Sequence, residues 1–204
     1  SFGALNVVED FDLAVARGEF ISFLGPSGCG ETTTLRMVAG FETPSAGAIR
    51  IDGVDIARVP KQTLRQALAI IPQNPTLFLG TLRENLDRFV QYHDDDIWSA
   101  LERVQLAGFV RSLPGGLETP VQENGANFSE GQKQLLCLAR ALLSDAKVII
   151  MDEATANVDV VTDQMIQSAI KSAFADRTML IIAHRLGTIP VEHFAHASDS
   201  FRRG

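Results

Sequence analysis

A run of glycines set between a strand and a helix constrains this chain more than any other feature. Glu19–Leu24 is apolar enough for a buried strand, Gly25-Pro26-Ser27-Gly28-Cys29-Gly30-Glu31-Thr32 follows, and Thr32–Ala39 has helical spacing with Gly40 as its stop. Glycines let a backbone wrap a compact anion, and a helix start adds partial positive charge. Strand, glycine loop and helix with the spacing G-x-x-x-x-G-K-[ST] make the phosphate-binding P-loop pattern, which points to an α/β fold. Thr32 supplies a hydroxyl suited to Mg²⁺. One position departs: the pattern asks for lysine where this chain has Glu31.

The rest of the chain fits an α/β fold. Leu5–Val8 and Phe11–Val15 read as short strands, and Ala48–Ile51 as another, closed by Asp52-Gly53. Lys61–Gln66 reads as a short helix and Ala67–Ile71 as a strand. From about Leu77 to Gly131 helices dominate, at Thr81–Phe89, Asp94–Leu106 and Gly108–Leu113, with a loop-rich stretch at Pro114–Asn127. Glu130–Ser144 and Thr162–Phe174 are helical, and they alternate with the apolar runs Lys147–Met151 and Thr178–Ala183. That alternation predicts a mostly parallel, buried sheet. Pro190–Gly204 shows no period and is read as a tail.

At 204 residues the chain suffices for one sizeable domain. Its net charge of −7 argues against a nucleic-acid surface, while phosphate can still bind to local backbone N–H groups. No apolar run approaches the ~18 residues of a membrane span, and no signal peptide is expected at Ser1-Phe2-Gly3. Cys29 and Cys137 have neither disulfide-framework nor metal-site spacing, so a reducing, cytoplasmic setting is expected. Asp94, Asp95 and Asp96 read as a solvated helix start, Trp98 and Leu101 as helix core. His193 and His196 lack further ligands for a metal.

Two further motifs make the pattern specific. Lys147–Met151 delivers Asp152-Glu153 from a buried strand, and Asn127-Phe128-Ser129-Glu130-Gly131-Gln132-Lys133 lies between that strand and the glycine loop. The latter resembles the signature of ABC-transporter ATP-binding domains, usually Leu-Ser-Gly-Gly-Gln, with Phe128 first and Glu130 in place of a glycine. In the same order, Gln73 resembles the glutamine loop, Gln122-Glu123-Asn124-Gly125 an exporter loop that faces transmembrane domains, Ala156-Asn157-Val158-Asp159 the D-loop, and His184 the switch histidine. The front, to about Ile56, resembles bacterial importer ATPases of the polyamine and iron type. From about Gln62 to Ile189 the chain resembles the second cassette of multidrug-resistance-associated exporters, the C subfamily; Pro190–Gly204 resembles neither.

The resemblance implies one cassette over residues 1–204. Its P-loop core would take about 1–76 and 132–189, a helical subdomain 77–131, and a small antiparallel β subdomain would come from the first part of the chain. It implies ATP and Mg²⁺ as ligands. Gly25, Ser27, Gly28, Cys29, Gly30, position 31, Thr32 and Thr33 would hold phosphates, and Phe2 would stack on adenine. Thr32, Gln73 and Asp152 would hold the metal. Glu153 would polarise water and His184 would align it. Ser129, Gly131, Gln132 and Asp159 would serve a site shared with a second cassette, and transmembrane domains would be the further partners, at the cytoplasmic face of a membrane. Two functions stay open: a transport motor, favoured by Glu153 and His184, and a nucleotide-binding or interaction module with little turnover, favoured by Glu31. A chromosome-structure or DNA-repair ATPase would need a long coiled-coil insertion, and the stretch from Gln73 to Ser129 has no room for one.

Overall fold

Two apolar runs near the end of the chain form the middle of the parallel sheet. The computed structural model describes Val8 and residues 11–23, 30–152 and 160–182. In chain order the elements are β1 (Phe20–Phe23), α1 (Glu31–Val38), β2 (Arg50–Ile51), β3 (Val54–Asp55), α2 (Lys61–Ala67), β4 (Leu68–Ile71), β5 (Gly80–Thr81) and α3 (Leu82–Leu86). They continue with α4 (Asp94–Arg103), α5 (Ala107–Ser112), β6 (Pro120–Val121), α6 (Glu130–Leu143), β7 (Val148–Asp152), α7 (Val160–Ala173) and β8 (Thr178–Ile182). This is the mixed α/β architecture expected: one parallel sheet, small antiparallel pairs and helices.

The chain divides into two compact units. The first takes its described residues from Ser1–Ile70, Ala146–Glu153 and Asp176–Gly204. Its sheet has the order β1-β8-β7-β4, and β8 runs parallel to both neighbours, Phe20 opposite Met179 and Val148 opposite Thr178. Strands covered on both faces need apolar residues throughout, which is why β7 and β8 lack an alternating pattern. Ile21, Phe23, Val148, Ile150, Leu180 and Ile182 pack with Leu35 and Ala39 of the α1 segment and with Leu64 and Leu68. Each such side chain contributes about 1.5–3 kcal/mol by leaving water. Between β2 and β3, Asp52 and Gly53 both have positive φ (50° and 77°), the tight hairpin turn that Asp-Gly favours.

Phe11–Val15 is not a strand. Its alternation survives, with Phe11, Leu13 and Val15 against the core and Asp12 and Ala14 exposed, but among the described residues no strand is assigned to it. Period-two burial needs only an extended chain on an apolar surface, whereas a strand needs a hydrogen-bonding neighbour. Of Ala48–Ile51, only Arg50–Ile51 is paired.

The second unit takes its described residues from Ile71–Asp145 and Ala154–Ala175. In it α6 packs on α3, α4 and α7, burying Leu135, Leu136 and Leu138 together with Leu82, Ile97, Leu101 and Ile166. The helix expected over Thr81–Phe89 is shorter: Thr81 caps it and it ends at Leu86. The cause is Asp87, whose carboxylate accepts from the N–H groups of Gln91 and Tyr92 and turns the chain through Val90 at φ 53°. α4 likewise stops at Arg103, before Gln105 at φ 60°. Arg83 ties three segments together, its Nε 2.6 Å from Glu118 and its other two nitrogens 2.7 and 2.8 Å from the two oxygens of Asp94. Asp94 is therefore more than a solvated helix start. Asn85 accepts from Phe78 N and donates to Phe78 O and Thr81 O. The tail Pro190–Gly204 lies outside the described residues, as does Leu5–Val7 of the first expected strand.

Candidate functional site

In the first unit the site begins where α1 begins. Gly30 precedes the helix at φ 100° and ψ 1°, and no side chain caps the first turn. Its carbonyl accepts from Thr34 N (2.8 Å) and Thr34 Oγ1 (3.0 Å), which fixes the glycine on the helix. A residue with a Cβ is strained at that φ, so the sequence places glycine there for backbone reasons. Helix starts leave N–H groups without intrahelical partners. Gly30, at the cap position, offers no side chain to fill them, and Thr32 is exposed with Thr33 half-buried. Such a start suits an anion by geometry and by the helix dipole. The backbone therefore fits the phosphates of a nucleotide, although the residue type at position 31 opposes a negative charge.

The other contribution of this unit is Asp152, the last residue of β7 and half-buried. Asp152 is opposite Ile182 on β8, and Ile182 is opposite Phe23 on β1. The carboxylate and the strand leading toward α1 thus end in one row, on the carboxyl edge of the parallel strands. Two strand spacings make that roughly 10 Å. The carboxyl edge is where open α/β sheets bind ligands.

In the second unit, Ser129 caps α6 with both arms of a capping box. Gln132 N donates to Ser129 Oγ at 3.2 Å, and Ser129 N donates to Gln132 Oε1 at 2.9 Å. Ser129 is exposed, while Gly131 is buried. Phe128 is buried edge-on against Phe109, with centroids 6.2 Å apart, which explains how an aromatic takes the usual leucine's place. The loop before it is held by Asn127, which accepts from Gln122 N (3.0 Å) and donates to Pro120 O (2.9 Å). Gln73 lies exposed in the bend after β4. Burial pushes the Cys137 thiol above its ordinary pKa, so it is a core residue rather than a nucleophile.

In the first unit Asp152 ends β7 in the same row as the end of β1, and Gly30, Thr32 and Thr33 lie at the start of the helix that follows β1 in the chain, with the backbone of Glu31 opening α1. The second unit gathers Ser129, Gly131 and Gln132 at one helix start. Phe2, Gly25, Ser27, Gly28, Cys29, Glu153, Asp159 and His184 lie outside the described residues. Sequence reading gave no role to Lys133, whose Nζ is 2.8 Å from Glu130 Oε1; the i, i+3 spacing of opposite charges was the available signal. Nor did it single out Asn85 or Asp87, whose partners are backbone groups.

Comparison with known proteins agrees with this geometry. The ABC transporter family profile matches residues 8–156. ABC transporter C family member 3 of Dictyostelium discoideum is 48% identical over 183 residues, covering 90% of this chain and 13% of that protein. ATP-binding cassette sub-family C member 3 of Rattus norvegicus is 46% identical over 183 residues, 90% of this chain and 12% of that one. The chain spans about an eighth of the length of these relatives. Among solved structures, a bacterial Atm1-family ABC exporter with ATP bound superposes with a TM-score of 0.82 at 36% identity, over 90% of this chain and 32% of that one.

Proposed function

Because the chain belongs to the ABC transporter family, we propose that it is a nucleotide-binding cassette that takes up MgATP between its own glycine loop and the signature of a second cassette, and works on transmembrane partners at the cytoplasmic face of a membrane. What supports this reading is the start of α1 behind a left-handed Gly30, in the unit where Asp152 ends β7 level with the end of β1. In this proposal the amides after Gly28 and Gly30 hold phosphate oxygens, and the hydroxyls of Thr32 and Thr33 turn to the phosphates and the cation. Asp152 and Gln73 complete the cation's shell. Magnesium suits such a set, because it takes one or two carboxylates and fills its remaining positions from phosphate and water. Glu153 orients water, His184 holds it in line, Phe2 covers the adenine, and Ser129, Gly131, Gln132 and Asp159 serve the neighbouring cassette's nucleotide. The P-loop core at 1–76 and 132–189, the helical subdomain at 77–131, the importer-like opening and the second-cassette character of residues 62–189 belong to the same proposal.

Glu31 sets the limit. At ~4 Å and an effective dielectric of ~20, one unit-charge interaction is roughly 4 kcal/mol, and glutamate in place of lysine reverses its sign. Solvent, cation and side-chain retreat reduce that, yet a residue of ~3 kcal/mol is still roughly a hundredfold in affinity. Glu31 therefore favours a second reading, a cassette that associates but turns over little. ATP binding by equilibrium dialysis and phosphate release, measured for the chain and for Glu31→Lys, decide. We expect weak binding and background hydrolysis for the first and roughly hundredfold tighter binding for the second. Vigorous Mg²⁺-dependent turnover unchanged by Glu31→Lys would refute the charge argument. Failure of Glu31→Lys to bind ATP at all would refute the cassette reading.

A further inference from the structure

We propose that Lys133 is a positioning residue for the start of α6: it draws the Glu130 carboxylate aside and offsets its charge, so that this helix start can meet the phosphates of a nucleotide held by a partner cassette. The inference rests on the reading of Ser129–Gln132 as a signature. Glu130 stands at the first helical position, where an acid favours the helix but repels an approaching triphosphate. The polar side chains beside it are already engaged, Ser129 and Gln132 with each other's backbone N–H groups. Glu130 itself is paired: Lys133 Nζ lies 2.8 Å from its Oε1.

The lysine is held there by packing. Its side chain is 11% exposed, against 50% for Glu130, so the lysine forms the fixed half of the pair. Its stem runs over Gly125 at φ 65°, where a Cβ would come within 3.2 Å of Lys133 Cε and 2.9 Å of Leu77 Cδ1. A nearly buried ammonium needs a hydrogen-bonding partner, and in this structure Glu130 supplies one. The loop before the signature and the charge at the helix start thereby meet at one side chain.

The test uses two differently labelled full chains, both carrying Glu153→Gln to suppress turnover. One keeps Glu31 and the other carries Glu31→Lys, so in the mixed pair the filled site lies between the second chain's glycine loop and the first chain's α6. Energy transfer between the labels reports association as ATP is added. Lys133→Met in the Glu31 chain should weaken ATP-dependent pairing about threefold to tenfold. Lys133→Arg should not, and adding Glu130→Gln beside Lys133→Met should restore pairing. The loss should follow the chain whose α6 faces the filled site. Equal loss from Lys133→Met in either chain, no loss, or loss that Glu130→Gln does not rescue would overturn the proposal in favour of plain packing. If Lys133→Met reduces helical ellipticity, Lys133→Gln with the same Glu130→Gln rescue replaces it. ATP binding by the Glu31→Lys chain without pairing would overturn this inference alone, whereas absence of ATP binding would sink the cassette reading beneath it.

Discussion

α1 and α6 both open on a glutamate, Glu31 and Glu130, but behind different residues. α1 follows Gly30 in a left-handed conformation and has no side-chain cap; α6 follows Ser129 and has a complete capping box. A capped start is stable by itself. An uncapped one leaves N–H groups to water or to a ligand. In the second unit local side-chain chemistry therefore completes a helix, while in the first the cap position is a glycine shaped by its backbone alone. Glutamate at the first helical position then has two meanings. At α6 a lysine offsets it, and at α1 it occupies the position where the P-loop pattern has the lysine.

The sharpest way to break this contrast is at the residues before the helices. Gly30→Ala should cost about 1–3 kcal/mol, because a Cβ must be held at φ 100°. Ser129→Ala should cost about 1 kcal/mol through the lost cap, with most of it recovered by Ser129→Asp. Urea denaturation of each variant gives both numbers. A Gly30→Ala cost no larger than that of Ser129→Ala would mean that the start of α1 is not made by its backbone. The contrast is sharpened by Glu31→Lys without nucleotide: a cation at a helix start opposes the dipole, so the ligand-free variant should be about 0.3–1 kcal/mol less stable. With ATP the order should reverse, since a ligand that binds only the folded chain stabilises it. An unchanged order in both conditions would contradict the opposition between helix stability and phosphate binding.

The smallest effect concerns acid. The Arg83 guanidinium, hydrogen-bonded to Asp94, holds that carboxyl below its usual pKa. A lowered folded-state value gives stability that is complete above the unfolded value near 4 and is lost as pH falls through the folded one. Urea midpoints between about pH 6 and 3 should therefore fall less steeply for Arg83→Met than for the unaltered chain. Parallel slopes would show that the pair does not contribute.

Where the sequence was legible, the cause was local. Asp52-Gly53 marked its hairpin turn, the helical spacing of Glu130–Ser144 marked α6, and the apolar runs at β7 and β8 marked a buried parallel sheet. What escaped depends on distant or backbone partners. β5 and β6 are two residues each and exist only because Gly80 faces Val121. The end of α3 depends on a carboxylate reaching forward to two N–H groups, and Phe11–Val15 kept the burial pattern of a strand without being one. The candidate site followed the same rule. Gly30 was found through a glycine pattern that its backbone conformation requires, and Ser129 through its likeness to a family signature. The Glu130–Lys133 pair was missed because a charged pair one helical turn apart is ordinary on any helix surface.

The strand order β1-β8-β7-β4 also fixes a schedule for synthesis. Gly18 N donates to Thr178 Oγ1 across 160 residues of chain, and β1 has β8 as its sheet neighbour. At ~5–20 residues per second a ribosome delivers β8 on the order of ten seconds after β1. During that interval Ile21 and Phe23 are made but lack the strand that covers their edge, while the hairpin at Asp52-Gly53 and the Ser129-capped helix can already form. An unpaired apolar strand is a template for other chains. A nascent chain stalled between β7 and β8 should therefore be its most aggregation-prone form, with a helical unit already folded and a sheet still missing one of its two inner strands.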